Sequence, residues 1–197
     1  MKNKIVFAIL ISVFAIVVAY LANTALKMKP ISDLSHLGGD FSLQGNKGEV
    51  KLSDFKGKVS ILYFGFTTCP DVCPMALSHL RSKLSSLNEE KQNKIQTIFV
   101  SVDWKRDTPE KTQEYASFFG RNIVGLTGNR DEIDKVTRLY SVYYSFVDLE
   151  DSELGYTVDH TSRYFVIDGD SKLVGMFSDI QNDPKFMKVL ENSIGRL

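Results

Sequence analysis

Cysteine and histidine are scarce in this chain, with two of the first and three of the second among 197 residues. Charge of either sign is not in excess. Basic and acidic residues stand at 24 each, which removes the electrostatic reason to expect a nucleic-acid partner. Internal repeats and low-complexity tracts are missing, so one domain of ordinary size is the default for this length. Apolar and charged content are those of a globular chain rather than a disordered one.

One long hydrophobic run is present. Ile5 to Ala22, IVFAILISVFAIVVAYLA, is 18 residues without a charge, preceded by Lys2 and Lys4. A spanning helix needs about 17 to 25 such residues. A cleaved signal has an apolar stretch of about 7 to 15, closed by an A-x-A-like site. No good site of that kind follows the run, and no lipidation cysteine is there. A core helix is disfavoured because the run is apolar all round. Residues 1–26 are therefore expected to be an uncleaved single-pass anchor. Lys2, Lys4 and the terminal amine favour a cytoplasmic N-terminus, with Lys27 and Lys29 opposing it. No Arg- and Ser-rich transit segment precedes the anchor, so the expected location is a bacterial membrane with the rest of the chain on the extracytoplasmic side. Thiols there oxidise unless kept reduced.

Residues 27–40, KMKPISDLSHLGGD, resemble a short tether, and 41–197 form the remaining domain. FSLQGNKGEVKL predicts a hairpin around Gly45 to Gly48. VSILYFGF (59–66) and IQTIFVSVD (95–103) are near-continuous apolar strands of the kind buried on both faces. After Pro74, Leu77, Leu80, Leu84 and Leu87 have helical spacing. Thr108 and Pro109 supply the N-cap and first residue of another helix. IVGLTG predicts a short strand, 130–144 a helix, and RYFVID with KLVGMF a hairpin across Gly169; Asp183 and Pro184 open a last helix. The alternation gives an α/β fold: a central mixed, mainly parallel sheet flanked by helices.

Both cysteines fall in FTTCPDVCP, between the first buried strand and the following helix, where ligands of such sheets bind. Cys73 precedes Pro74, which places it near the N-cap, where free N–H groups and the helix dipole favour a thiolate. A structural disulfide closing so short a loop would stabilise by only about 2 kcal/mol. Thiol redox chemistry and metal binding both remain. Three intervening residues, rather than the two of the common redox motif, give the sulfurs freedom to open around a metal.

Of the histidines, His36 lies in the tether. His79 is six residues past Cys73, about 240° around the helix, and points away from the sulfurs. His160, in VDHTSRYFVID, stands just before a buried strand, at a sheet end where it can meet the cysteine loop. Two thiolates and an imidazole make a soft, low-coordination site suited to Cu(I). Structural zinc wants a fourth protein ligand, and no third cysteine exists.

GFTTCPDVCP with a downstream DHT before a strand resembles the Sco/SenC family of membrane-anchored copper chaperones that help assemble cytochrome c oxidase. FVSVDWKRDTPEKTQEY (99–115), LYSVYYSF (139–146) and DHTSRYFVIDGD (159–170) extend the likeness over roughly residues 40–195 and the anchor. Trp104 stands where that family usually has proline. The resemblance implies a thioredoxin-like fold, with Cys69, Cys73 and His160 binding copper as Cu(I) and also Cu(II). It implies delivery of that copper, or thiol reduction, at the dinuclear copper centre of cytochrome c oxidase subunit II, with other copper carriers or thioredoxin-like reductants as further partners. Asp103, and Asp159 beside the histidine, are candidates to support the ligands.

Two functions stay open. The first is a metallochaperone. The second is an extracytoplasmic thiol–disulfide oxidoreductase without obligatory copper, with Cys69 attacking and Cys73 resolving. A peroxidase of the P-x-x-x-T-x-x-C type does not fit. Phe66 and Leu62 occupy the Thr and Pro positions counted from Cys69, and Pro70 and Phe66 those counted from Cys73.

Overall fold

The computed structural model describes residues 13–20, 34, 36–120, 122–150 and 152–197. The chain divides into two units, Met1–Asp33 and Leu34–Leu197. In the first, residues 13–20 are helical with exposed side chains. The rest of the expected 5–22 span lies outside the described residues. Among the described residues no helix is long and apolar enough to cross a membrane.

The second unit begins with the tail of the expected tether. Gly38 N–H donates to the Leu139 carbonyl (2.7 Å), and the Tyr140 hydroxyl to the Gly39 carbonyl (3.1 Å). The expected first hairpin follows, β1 (Ser42–Gly45) against β2 (Gly48–Lys51). Strands β3 (Val59–Gly65) and β4 (Ile95–Ser101) are buried throughout. They pair in parallel, with Tyr63 beside Phe99 and Gly65 beside Ser101. Strand β5 (Ile123–Leu126) extends the parallel part past β4.

Between these strands run helices α1 (Val72–Ser85), α2 (Glu89–Asn93) and α3 (Pro109–Ser117). Thr108 caps α3 as its sequence predicts: its side chain accepts from Lys111 N–H, and Pro109 opens the helix. Helix α4 (Arg130–Leu139) begins on an Asn129–Glu132 capping box. It ends five residues before the expected Tyr144. Tyr140 closes it and Ser141 turns into the left-handed region at φ 52°.

The chain then makes a hairpin that the sequence reading missed, β6 (Tyr144–Asp148) against β7 (Tyr156–His160), which forms a two-stranded sheet of its own. Strands β8 (Tyr164–Ile167) and β9 (Leu173–Phe177) return as the expected closing hairpin, and α5 (Lys185–Ile194) ends the fold. The main sheet runs β5-β4-β3-β8-β9, with β8 antiparallel to β3. The sheet is mixed, as expected, but its pairings divide evenly into two parallel and two antiparallel rather than being mainly parallel, and the order is thioredoxin-like.

The two faces are packed differently. On one, Tyr63, Phe99 and Tyr164 meet Tyr115 of α3 and Phe186 of α5, while the Tyr164 hydroxyl donates to the Ala76 carbonyl of α1 (3.0 Å). On the other, Phe64 and Phe165 pack with Tyr140 at the end of α4. Both faces are thus dry, as the unbroken apolar runs of β3 and β4 require. Any polar site is left to the loops beyond the strand ends.

Candidate metal centre

The site begins where β3 runs out. After Gly65 the chain turns, with Cys69 N–H donating to the Phe66 carbonyl (3.3 Å), and enters α1 at Val72. Asp71 is the N-cap, so Cys73 is the second helical residue and Pro74 the third, rather than the N-cap and first residue. Proline fits there because none of the first-turn N–H groups has a partner within the helix. No side chain of the N-cap residue closes this end. A sulfur does so instead: Cys73 N–H donates to Cys69 Sγ at 3.3 Å.

Both cysteines are free thiols. Cys69 is half-buried and Cys73 fully buried against the core. Gly65 makes room for Cys73. A β-carbon on that glycine would stand 2.8 Å from Cys73 Sγ and 2.8 Å from the Phe99 ring.

His160 closes the site from the other side. It ends β7, paired with Tyr144, and its Nε2 lies 3.5 Å from Cys73 Sγ. Its Nδ1 sits 3.2 Å from the Thr161 carbonyl. A carbonyl only accepts, so Nδ1 carries a proton. Nε2 is then the ring nitrogen turned toward the sulfurs. The edges of Tyr63 and Phe66 flank the imidazole, with ring centroids 6.4 and 5.8 Å away. The Tyr63 hydroxyl meets the Ser162 hydroxyl at 2.6 Å. The three expected ligands are therefore brought together across 87 residues of chain. They are held by hydrogen bonds rather than in a finished cage: among the described residues no three His, Cys, Asp or Glu side chains already stand as a metal-holding cluster.

The two thiols share one proton unequally. A hydrogen bond from Cys73 is the main cause that lowers Cys69 to about 4, helped by His160 and by the N–H groups of Cys73 and Asp71, against the cost of burial. The same bond, followed by burial, pushes Cys73 upward. Cys69 is the thiolate and Cys73 the protonated partner. Burial and the sulfur charge likewise push the Tyr63 phenol up.

The other sequence candidates fall elsewhere. His36 is exposed. His79 lies on α1 near Asp179, away from the sulfurs as its spacing predicts. Asp159 is exposed. Asp103 is fully buried and binds neither sulfur nor imidazole; it accepts from Arg106 Nε (2.6 Å) and from the Tyr156 hydroxyl (2.8 Å). Residues the sequence reading missed are Thr161, whose carbonyl meets the imidazole Nδ1, and Asp107, which accepts from Thr67 N–H (2.8 Å) and Thr67 Oγ1 (2.6 Å) on the cysteine loop. The only advance signal for Asp107 was its place in the RDTPE stretch.

The sequence pattern of the family described as SCO1/SenC matches residues 29–195. An SCO2-like protein of Rickettsia conorii is 36% identical over 199 residues, 97% of this chain and 96% of that one. Arabidopsis thaliana ScoI, solved with copper bound, superposes with a TM-score of 0.73 at 34% identity, over 82% of this chain and 99% of its own. Bradyrhizobium japonicum ScoI, also solved with copper bound, gives 0.69 at 35% identity, over 81% of this chain and 98% of its own. A family pattern that spans the whole folded unit, and relatives of this identity matched nearly end to end, establish that the chain belongs to the SCO1/SenC family.

Proposed function

We propose that this protein is a copper carrier: Cys69, Cys73 and His160 hold one copper ion and pass it to the dinuclear copper site of cytochrome c oxidase subunit II. The observation that carries this reading is the 3.5 Å approach of His160 Nε2 to Cys73 Sγ, with Nδ1 already engaged by the Thr161 carbonyl. Metal–sulfur and metal–nitrogen bonds of about 2.3 and 2.0 Å meeting at a trigonal centre put sulfur and nitrogen about 3.7 Å apart. The observed spacing needs to open by only a few tenths of an ångström. Two sulfurs and one imidazole suit Cu(I), and relatives have been solved with copper in place. The half-buried Cys69 leaves one side open, so a recipient's ligands can replace these in turn. The apolar run at 5–22 would hold the carrier to a bacterial membrane, with the site on the extracytoplasmic side.

A thiol–disulfide role is favoured by a separate observation, the low-lying Cys69 thiolate beside a buried, protonated Cys73. Cys69 would attack a partner disulfide, release one partner thiolate and form a mixed disulfide. Cys73, losing its proton, would then attack Cys69. The partner leaves with two thiols and the chain keeps the disulfide, two electrons poorer. Copper loading needs the reduced pair, so both roles can be served by one site.

The test is to reduce the full-length chain in detergent, add Cu(I), and measure stoichiometry and X-ray absorption for wild type and His160→Ala. One copper per chain with two sulfurs and one nitrogen is expected in wild type, with weaker retention and no nitrogen in the variant. Equal retention in both, with disulfide reduction intact, would assign the site to the oxidoreductase instead.

A further inference from the structure

The loop that leaves β4, residues 103–107, touches neither the sulfurs nor the imidazole by side-chain hydrogen bond, yet it grips both segments that carry them. Its last residue holds the cysteine loop. Asp107, almost fully buried, accepts from Thr67 N–H and Oγ1, from Ser101 Oγ (2.6 Å) and from Lys111 Nζ (3.0 Å). Thr67 lies two residues before Cys69.

Its other residues hold the β6–β7 hairpin. The Arg106 guanidinium pairs with Asp103 through Nε, donates from Nη1 to the carbonyls of Tyr156 (3.0 Å) and Leu154 (3.3 Å), and lies 3.7 Å over the Tyr156 ring. The Tyr156 hydroxyl donates back to Asp103. Lys105 Nζ sits 4.1 Å over the Phe146 ring of β6. Ser101 joins the two halves, accepting from Asp103 N–H (3.2 Å) while donating to Asp107.

This grip matters because the hairpin has no backbone pairing with the main sheet. At its base Thr161 N–H and the Tyr143 carbonyl bond at 2.9 Å, and Tyr144 donates to Asp134 at 2.5 Å. The far end of β7, about 13 Å from His160 at about 3.3 Å per residue, is held by Arg106 and Asp103. Two buried carboxylates are a costly way to gain stability, since desolvation offsets most of their attraction. What such a network supplies well is fixed geometry.

We propose that loop 103–107 is a bracket that sets the distance between the sulfur pair and the imidazole, with Asp107 the positioning residue for the cysteine loop and the Asp103–Arg106 pair that for the histidine hairpin. The copper part of this rests on the ligand reading above; the mechanical part does not.

The experiment uses the full-length chain with Asp107→Asn, Arg106→Met, His160→Ala and the Arg106→Met/His160→Ala double variant. Amide exchange of the metal-free proteins reads the bracket alone. Arg106→Met should speed exchange in 144–160 at least tenfold and leave 67–73 unchanged; Asp107→Asn should do the reverse. Equal loosening of both segments, or of neither, overturns the bracket. Should Asp107→Asn fail to fold, Thr67→Val removes one of its donors and carries the same expectation, as Tyr156→Phe does for the hairpin.

Copper competition and the nitrogen signature of the bound ion read the consequence. Arg106→Met should weaken copper about tenfold and fade the nitrogen signal, with no further loss when added to His160→Ala. Losses that multiply in the double variant would show that Arg106 does not act through His160. If wild type retains no copper, the ligand reading falls and the exchange result alone judges the bracket.

Discussion

Cys73 Sγ fills the space into which any side chain at position 65 would have to grow, 2.8 Å from where a β-carbon on Gly65 would stand. Gly65 ends a strand that is buried throughout, so neither partner has free volume to retreat into. Gly65→Ala should therefore cost about 1–3 kcal/mol, the usual penalty for one extra carbon in a full core. The same push moves the sulfur that faces His160, so copper retention should fall alongside stability. Urea unfolding at constant m-value measures the first and copper competition the second. A variant as stable as wild type would show that the core around Cys73 is loose.

The unequal sharing of a proton between the cysteines gives a pH signature. A thiol held at about 4 is already thiolate at neutral pH. An ordinary thiol near 8.5 gains reactivity about tenfold per pH unit below that value. Alkylation of reduced, metal-free protein should thus be nearly flat at Cys69 between pH 6 and 8, and fall only as pH drops toward about 4. Cys73, buried and pushed upward, should stay unmodified while the fold is intact. Peptide mapping by mass spectrometry reads both. A Cys69 profile that rises tenfold per unit through neutrality would show that the sulfur pair does not share its proton in this way.

What could be read in advance follows the range of the physics. Strands β3 and β4 announce themselves because burial on both faces writes an unbroken apolar run. The α3 start is written by two adjacent residues, Thr108 and Pro109. The hairpin β6–β7 left no such mark. It is mostly half-exposed, Glu150, Glu153 and Asp159 are scattered through and beside it, and the helix ahead of it stops at a left-handed Ser141, a conformation that serine does not advertise. The convergence of His160 on the cysteines could be placed at a sheet end, and the resemblance made it specific. The grip of Asp107 on Thr67, 40 residues apart, could not, because a carboxylate in a loop looks the same in sequence whether its partners are water or a buried amide.

Trp104, the departure from the family's usual proline, packs edge-on against Phe146 of β6 at 5.5 Å between ring centroids. Its Nε1 is buried without a hydrogen bond of good geometry, and the nearest acceptor is the Tyr144 hydroxyl, which donates to Asp134 but keeps lone pairs free to accept. Trp104→Phe keeps the aromatic contact and removes an unsatisfied donor, so it should change stability by less than about 1 kcal/mol. Trp104→Ala and Trp104→Pro lose the contact and should cost about 2 kcal/mol, somewhat below the range for a fully buried ring. Thermal unfolding of the three variants decides the order. A costly Trp104→Phe would mean that the indole N–H is bonded after all.

The two cysteines should separate when each is changed to serine without metal. Serine at 69 is half-exposed and its hydroxyl can still accept the Cys73 N–H, but it forfeits the favoured thiolate, so Cys69→Ser should cost about 1 kcal/mol at neutral pH and less as pH falls toward about 4. Serine at 73 puts a hydroxyl into a fully buried site lined by Gly65 and Phe99, and should cost about 1–3 kcal/mol. Copper should erase nothing of that difference but add a second one. A ligand present at 100 times its Kd stabilises the folded chain by about 2.7 kcal/mol. Wild type should therefore gain a clear rise in Tm with Cu(I), and both serine variants should gain little, because each has lost one of two sulfurs. Differential scanning with and without Cu(I) gives both comparisons at once. A serine variant that keeps the full copper-induced rise would remove that cysteine from the ligand set, whatever its effect on the metal-free fold.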